Sequence, residues 1–105
     1  MGTINTKEFA PLLREAKEET LIQIREKYKG NAKIDQRSRL LVAIRQFPIS
    51  TFEARKFLDI MHPAGRIMEL RKCGWLIDTL WISEPSDIGK LHRIAVYLLR
   101  AQTNE

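Results

Sequence analysis

The chain has 105 residues, of which 44% are hydrophobic and 30% charged, and these are the proportions of an ordinary globular domain. The 18 lysines and arginines outnumber the 13 aspartates and glutamates, and the net charge of +5 favours a polyanionic partner. Every apolar run falls short of the ~20 residues that a membrane span needs, and a single cysteine, Cys73, excludes an internal disulfide.

Residues 6–29 are predicted to form one amphipathic helix, with Thr6 as its cap and Gly30 at its end. Lysines and glutamates fill one side, and apolar residues recur on the other at three- and four-residue spacing. An isolated helix of this length is marginally stable in water, so its apolar stripe must pack on something. Two alternatives stay open, packing on its own domain or pairing with a second copy of the chain. The predicted stripe comprises Phe9, Leu12, Leu13, Ala16, Thr20, Ile24 and Tyr28.

Two short helices are predicted after the polar stretch that follows the first helix. Asp35 is the expected cap of one of them, which ends before Pro48 because the residue before a proline avoids helical geometry. Ser50 and Glu53 have the three-residue spacing of a capping box. They therefore begin the other helix, which is predicted to continue to about Asp59.

A further helix and a β-hairpin are predicted in the second half of the chain. Pro63 suits the first helical position with His62 as the cap, and Gly74 suits a left-handed C-terminal cap. Beyond this helix, residues 75–83 and 92–99 are rich in β-branched and aromatic residues with partial alternation. Because a turn-rich connection separates these two segments, they are expected to pair as an antiparallel hairpin.

The order of helix, turn, helix and hairpin is the layout of a winged helix. Residues 48–82 resemble that superfamily in detail. Ala54 and Leu58 stand where its first motif helix carries small and large core residues, and Ile67 and Leu70 stand where its third helix commonly has apolar residues. We therefore expect these four side chains to lie in the core.

Two segments resemble, more narrowly, a helix-turn-helix family that is frequent in bacteriophages and prophages. They are HPAGRIMELRKCGWLI, which begins at His62, and the later HRIAVYLL; Gly65 departs from the family, which more often has alanine there. The resemblance covers about residues 37–99 and implies an α+β, mainly α fold of three helices plus a C-terminal β-hairpin. The amphipathic N-terminal helix is then an extra element. Residues 1–33 are a candidate for dimerisation, and residues 34–105 are the expected winged helix-turn-helix domain.

The resemblance implies double-stranded DNA as the partner, with the helix after His62 lying in the major groove. At about 100° per residue, Gly65, Glu69 and Lys72 point outward from this helix. Arg66 is predicted to bond guanine bidentately, and the alternative is an ion pair with Glu69. Basic residues are in excess on the helical segments, where they suit phosphates beside the groove. The predicted DNA contacts are Arg37, Arg39, Arg55, Lys56, His62, Gly65, Arg66, Arg71, Lys72, Lys90 and Arg93.

No catalytic residue, metal site or cofactor is predicted. His62 has no serine, cysteine or paired carboxylate at a useful spacing, and Cys73 and the two histidines lack the spacing of a zinc site. The N-terminal sequence has no basic segment before a long apolar run, so we expect a cytoplasmic protein. Because no catalytic motif is present, we expect that it is not an enzyme. The leading hypothesis is a small phage- or prophage-type transcriptional regulator that binds DNA sequence-specifically. The alternative is a winged-helix module that docks on a host protein without DNA.

Overall fold

The computed structural model describes residues 6–100, with side chains described from residue 12 onward. Within that range four helices and one antiparallel three-stranded sheet follow one another along the chain, which confirms the predicted mainly α fold with a C-terminal hairpin. The elements are α1 (Thr6–Lys27), α2 (Lys33–Ile44), β1 (Ile49–Ser50), α3 (Thr51–Phe57), α4 (Pro63–Lys72), β2 (Ile77–Pro85) and β3 (Leu91–Leu99).

The sheet has the strand order β1-β3-β2. Strands β2 and β3 form the predicted hairpin and pair along their whole length, from Ile77 opposite Leu99 to Pro85 opposite Leu91. Strand β1 was not predicted, because two residues are too short to show an alternating pattern. It pairs with β3 through Ile49 opposite Tyr97 and so joins the start of α3 to the hairpin.

One hydrophobic core receives side chains from all four helices and from the sheet. The four residues expected inside from the winged-helix pattern are buried, with Leu70 at 4% exposure and Ala54 at 0%. The other large contributors are Leu21, Leu40, Ile44, Ile49, Ile60, Ile77 and Tyr97.

Helix α1 is divided between a docked half and an exposed half. Leu21 and Ile24 lie in the core, and the helix packs against α2 and α3. Lys17 ties the helix to α3 through an ion pair with Glu53, at 2.9 Å between Nζ and Oε2. Leu12, by contrast, is 62% exposed. The first alternative, packing on its own domain, therefore holds for the C-terminal half, and the side chain of Phe9 lies outside the described residues.

The helix boundaries follow local signals with one error. The predicted capping box of α3 is confirmed, because Glu53 N–H donates to Ser50 Oγ and Ser50 N–H donates to Glu53 Oε1, each at 3.0 Å. Gly74 has the left-handed φ of 101° that was expected after α4. The prediction that Asp35 caps α2 is wrong, since that helix starts at Lys33 and has no side-chain cap. None of the helices within residues 6–100 has the length and apolar content needed to cross a bilayer.

Candidate nucleic-acid interface

Helix α4 presents one buried and one outward face. Pro63, Ile67 and Leu70 are buried against the core, as predicted for Ile67 and Leu70. The opposite face is formed by Gly65, Lys72 and also Met68, which is 54% exposed and was not predicted to contribute. His62 occupies the N-cap position, as predicted, but its side chain makes no capping hydrogen bond. The outward surface of α4 is therefore partly apolar and carries a lysine at its C-terminal end.

An open cleft of about 630 Å³ lies between the N-terminus of α4, helix α3 and the hairpin. Arg55, His62, His92 and Arg93 line it, and no carboxylate does so among the residues that the structure describes. Arg55 is oriented by donating from Nε to the carbonyl oxygen of Met61 at 3.1 Å. We call this cleft, with its two arginines and two histidines, the basic cleft.

Aromatic and polar groups complete the basic cleft. The guanidinium of Arg93 lies 4.6 Å from the centre of the Trp81 ring, and such stacking limits the motion of the arginine. Ser86 Oγ is buried and has no hydrogen-bond partner within the described residues. An acceptor or donor on a bound molecule would satisfy that hydroxyl, because buried polar groups are normally paired.

Four predicted contacts meet at the basic cleft: Arg55, His62, Gly65 and Arg93. His92 lines it as well, although the predicted set omitted it. The sequence signal for His92 was its position beside Arg93 at the start of a strand. Strand alternation places neighbouring side chains on opposite faces, so it does not predict that both turn toward one cleft at the twisted end of the hairpin. Lys56 lies on α3, where its Nζ is 5.4 Å from the Phe57 ring. Lys90 is exposed in the connection between β2 and β3.

A second charged cluster joins α2 to α4 and consists of Gln36, Arg37, Arg66 and Glu69. We call it the Glu69 cluster. Arg37 Nη1 donates to Glu69 Oε1 at 3.0 Å, and Arg66 Nη2 donates to Glu69 Oε2 at 3.1 Å. Arg66 Nε also lies 2.8 Å from Glu69 Oε1, and its Nη1 is 3.4 Å from Gln36 Oε1. The structure thus contains the alternative that the sequence left open, the ion pair between Arg66 and Glu69.

The Glu69 cluster holds its carboxylate ionised. Partial burial opposes ionisation, but the hydrogen bonds from Arg37 and Arg66 outweigh it, so the pKa of Glu69 lies below its ordinary value. The side chain of Arg66 is only 11% exposed, whereas that of Arg37 is 29% exposed. Of the two arginines, Arg37 therefore has the greater access to a partner molecule.

Arg39 is not at the surface, and its predicted contact with DNA is wrong. It is 2% exposed and donates only to backbone carbonyls within the described chain. Nη1 reaches Tyr28 at 2.8 Å and Gly30 at 2.7 Å, and Nε reaches Leu58 at 2.8 Å. These carbonyls lie at the C-terminal ends of α1 and α3. Arg39 therefore connects the two helix ends, where a cation is electrostatically favourable.

Arg71 also has partners inside the protein. Its Nε and Nη2 donate to the carbonyl oxygen of Ile77 at 3.0 and 2.7 Å, and Nη2 donates to Thr79 Oγ1 at 2.9 Å. These bonds connect the last turn of α4 to strand β2. Arg71 therefore orients the hairpin relative to α4, and Lys72 is the cation that the end of this helix presents outward.

The comparisons with known proteins agree with this architecture. A family model described as a winged helix-turn-helix domain matches residues 35–102. No curated protein and no solved structure gives a match. The matched segment contains the Glu69 cluster and the basic cleft, and helix α1 precedes it.

Proposed function

The chain belongs to the winged helix-turn-helix domain family, and we propose that it binds double-stranded DNA through α4 and the basic cleft. The observation that carries the proposal is the charge of this cleft, where Arg55 and Arg93 lie with two histidines and where none of the described lining residues is a carboxylate. A phosphodiester backbone is a polyanion that such a surface attracts independently of sequence. The hydroxyl of Ser86, which has no partner in the part of the chain that the structure describes, is a further donor for a phosphate oxygen.

In the proposed complex, α4 lies in the major groove with its outward face toward the bases. Its 10 residues give a length of about 15 Å, which fits the groove. A side-chain carbon at Gly65 would meet no atom of the described residues within 4 Å, so this part of the helix is open to a close approach. Met68 is suited to an apolar contact with a thymine methyl group, and Lys72 to a phosphate.

The finer proposal is a sequence-specific transcriptional regulator of the small phage or prophage type, acting in the cytoplasm without enzymatic activity. Its support is the likeness of the segments that begin at His62 and His92 to that type of helix-turn-helix protein. Fold alone does not determine activity, so the proposal depends on direct binding measurements.

A second candidate function, docking on another protein, is favoured by the apolar residues around the end of the hairpin. Ile88 is 87% exposed and Leu91 is 68% exposed, the first in the turn between β2 and β3 and the second at the start of β3. Exposed apolar side chains that lie near one another are typical of protein-binding surfaces. Such a module would bind its partner with little dependence on salt, which separates it from a DNA-binding protein.

Removing one cation from the basic cleft should weaken binding to all duplexes alike. We expect Arg93→Ala to reduce the slope of log affinity against log salt by about 1, because one phosphate contact is lost. The matched control is Arg100→Ala, which removes the same charge at the opposite end of the hairpin, beside Asp78. Fluorescence anisotropy with a random-sequence duplex at several salt concentrations measures both slopes.

Two results would count against the proposal. A wild-type chain that binds no duplex at low salt would leave protein docking as the better candidate. Equal effects of Arg93→Ala and Arg100→Ala would mean that only net charge matters and that the basic cleft is not the contact surface.

We also propose that two chains pair through the exposed half of α1, so that two copies of α4 read half-sites of an inverted repeat. Leu12 and Leu13 are 62% and 54% exposed, and Ala16 on the same side is small enough to let two helices approach closely. The pairing surface is smaller than residues 6–29, because Leu21 and Ile24 are already buried in the core.

A charge placed on this surface should separate the two chains. We expect Leu13→Glu to sediment as a monomer under conditions in which the wild type is a dimer, because pairing would bury the carboxylate. Ile22→Glu is the matched control, since Ile22 is 36% exposed and lies on the opposite side of α1. A wild-type chain that sediments as a monomer at high micromolar concentration would contradict the pairing.

A further inference from the structure

The Glu69 cluster contains more cationic charge than its carboxylate neutralises. Glu69 accepts from Arg66 on one oxygen and from Arg37 on the other, so two guanidinium groups share one carboxylate. At about 100° per residue, Glu69 lies on the flank of α4 that faces away from Ala64 and the basic cleft. The cluster therefore places a net positive charge beside the outward face of α4, on the side opposite the cleft.

The two arginines of the cluster differ in how completely their donors are used. Arg66 donates from Nη2 to Glu69 and from Nη1 to Gln36, its Nε lies 2.8 Å from Glu69 Oε1 without forming a hydrogen bond to it, and its side chain is 11% exposed. Arg37 uses Nη1 alone for Glu69, and its other donors have no partner among the described residues. Only Arg37 thus keeps two adjacent donors in the fork geometry that guanine O6 and N7 accept.

A role in stability alone does not account for this arrangement. Ion pairs as exposed as this one, with side-chain exposures of 29% for Arg37 and 27% for Glu69, usually contribute little to the free energy of folding. They do restrict long side chains, and an arginine that is already held loses less conformational entropy when it binds. Arg66 also neutralises the carboxylate, which would otherwise repel the phosphates of an approaching duplex.

We propose that Glu69 is a positioning residue that makes Arg37, on α2, a guanine-reading side chain of this protein, with Arg66 holding the carboxylate in place. This inference rests on the proposed DNA-binding function and assigns part of its sequence specificity. Arg37 reaches the base edge from beside α4, and Glu69 fixes the plane of its guanidinium. The preferred DNA site then contains a guanine that Arg37 contacts. This contact depends on Glu69, which does not itself touch the base.

Substituting Glu69 separates positioning from charge. The wild-type chain first selects its preferred duplex from a randomised pool, and affinities are then measured for that duplex and for a scrambled one. Glu69→Gln removes one negative charge, so a purely electrostatic role predicts that both affinities rise together. Positioning predicts instead that the ratio of the two affinities falls roughly tenfold and that the preference for guanine at one position is lost.

Two further variants complete the experiment. Glu84→Gln removes the same charge from the hairpin, away from the Glu69 cluster, and should leave the affinity ratio unchanged. Arg37→Lys keeps the charge but not the fork, so it should lower the ratio as Glu69→Gln does. The double variant, with Glu69→Gln and Arg37→Lys together, should lower the affinity ratio no further than either single variant, because both changes remove the same contact.

The outcomes distinguish this inference from the function on which it rests. If Glu69→Gln keeps both the wild-type ratio and the wild-type base preference, Glu69 does not position a reading residue and the inference is overturned. If the wild-type chain binds no duplex, the proposed function fails first and the inference fails with it. Thermal melting of each variant checks that a change in ratio does not come from unfolding.

Discussion

Replacing Arg39 with alanine is expected to destabilise this protein more than any other single change at a charged residue. Arg39 is 2% exposed, and its guanidinium donates to the carbonyl oxygens of Tyr28, Gly30 and Leu58, with a longer contact of 3.3 Å to Asp59. A buried carbonyl that loses its partner costs about 1–3 kcal/mol. Because four carbonyls share one side chain and water can reach some of them, we expect a total loss of about 3–5 kcal/mol.

This loss is large relative to the whole stability of the domain, since a chain of this length is stable by only about 5–15 kcal/mol. Chemical denaturation measures the change in the free energy of unfolding. Arg39→Lys should be intermediate, because a single ammonium group cannot span both helix ends as a planar guanidinium does.

The matched control for Arg39 is Arg45→Ala at the C-terminal cap of the same helix. Arg45 is exposed and its guanidinium lies 5.5 Å from the Trp75 ring, so its removal should cost no more than about 1 kcal/mol. If Arg39→Ala unfolds at the same denaturant concentration as Arg45→Ala, then water replaces the guanidinium at all of its carbonyls and Arg39 does not hold the two helix ends together.

The second large effect is expected at Leu21. This side chain is 0% exposed in a core shared with α2 and α3, so Leu21→Ala should reduce the free energy of unfolding by about 2–5 kcal/mol. The physical reason is the lost apolar burial together with the cavity that remains. Ile22→Ala is the neighbouring control, and at 36% exposure it should cost less than about 1 kcal/mol.

The result at Leu21 decides whether α1 is part of the domain. If Leu21→Ala and Ile22→Ala are equally stable by thermal melting, α1 is not docked in solution. If Leu21→Ala is destabilised as expected, removal of residues 1–30 would unfold the chain, because it would delete Leu21, Ile24 and two of the carbonyls that bind Arg39. Point substitutions on the exposed half are for that reason the appropriate test of pairing.

The sequence contained a signal for the buried face of α1, which was predicted incorrectly. Leu21 precedes Ile24 by three residues and Tyr28 by seven, which is the spacing of one helix face. The predicted stripe included Ile24 and Tyr28 but omitted Leu21. It contained Leu12 and Leu13, which lie about a half turn and a quarter turn around α1 from Leu21 and remain exposed. The spacing of apolar residues shows that part of the helix surface must be buried. Where two apolar stripes overlap, the spacing does not show which of them packs into the core.

Short-range signals in the sequence were enough to predict most of the architecture. The capping box at Ser50, the proline that opens α4, the glycine at position 74 and the change from helical to alternating periodicity each act within a few residues. Short-range signals of this kind define where elements begin and end. Together with the family resemblance they were sufficient for a mainly helical winged-helix fold, and the buried Leu70 was predicted for the same reason.

The role of each arginine depends on contacts between elements that are distant in the sequence. Arg37 and Arg39 are two positions apart on α2 and look alike as predicted phosphate contacts, yet one lies in the Glu69 cluster and the other is buried beneath two helix ends. Arg66 is likewise held by Glu69 and Arg71 by strand β2. A long cationic side chain takes the partner that packing brings within its reach, and those partners lie on other elements of the chain. Its role therefore depends on which helix faces meet, which the spacing of residues within one helix does not specify.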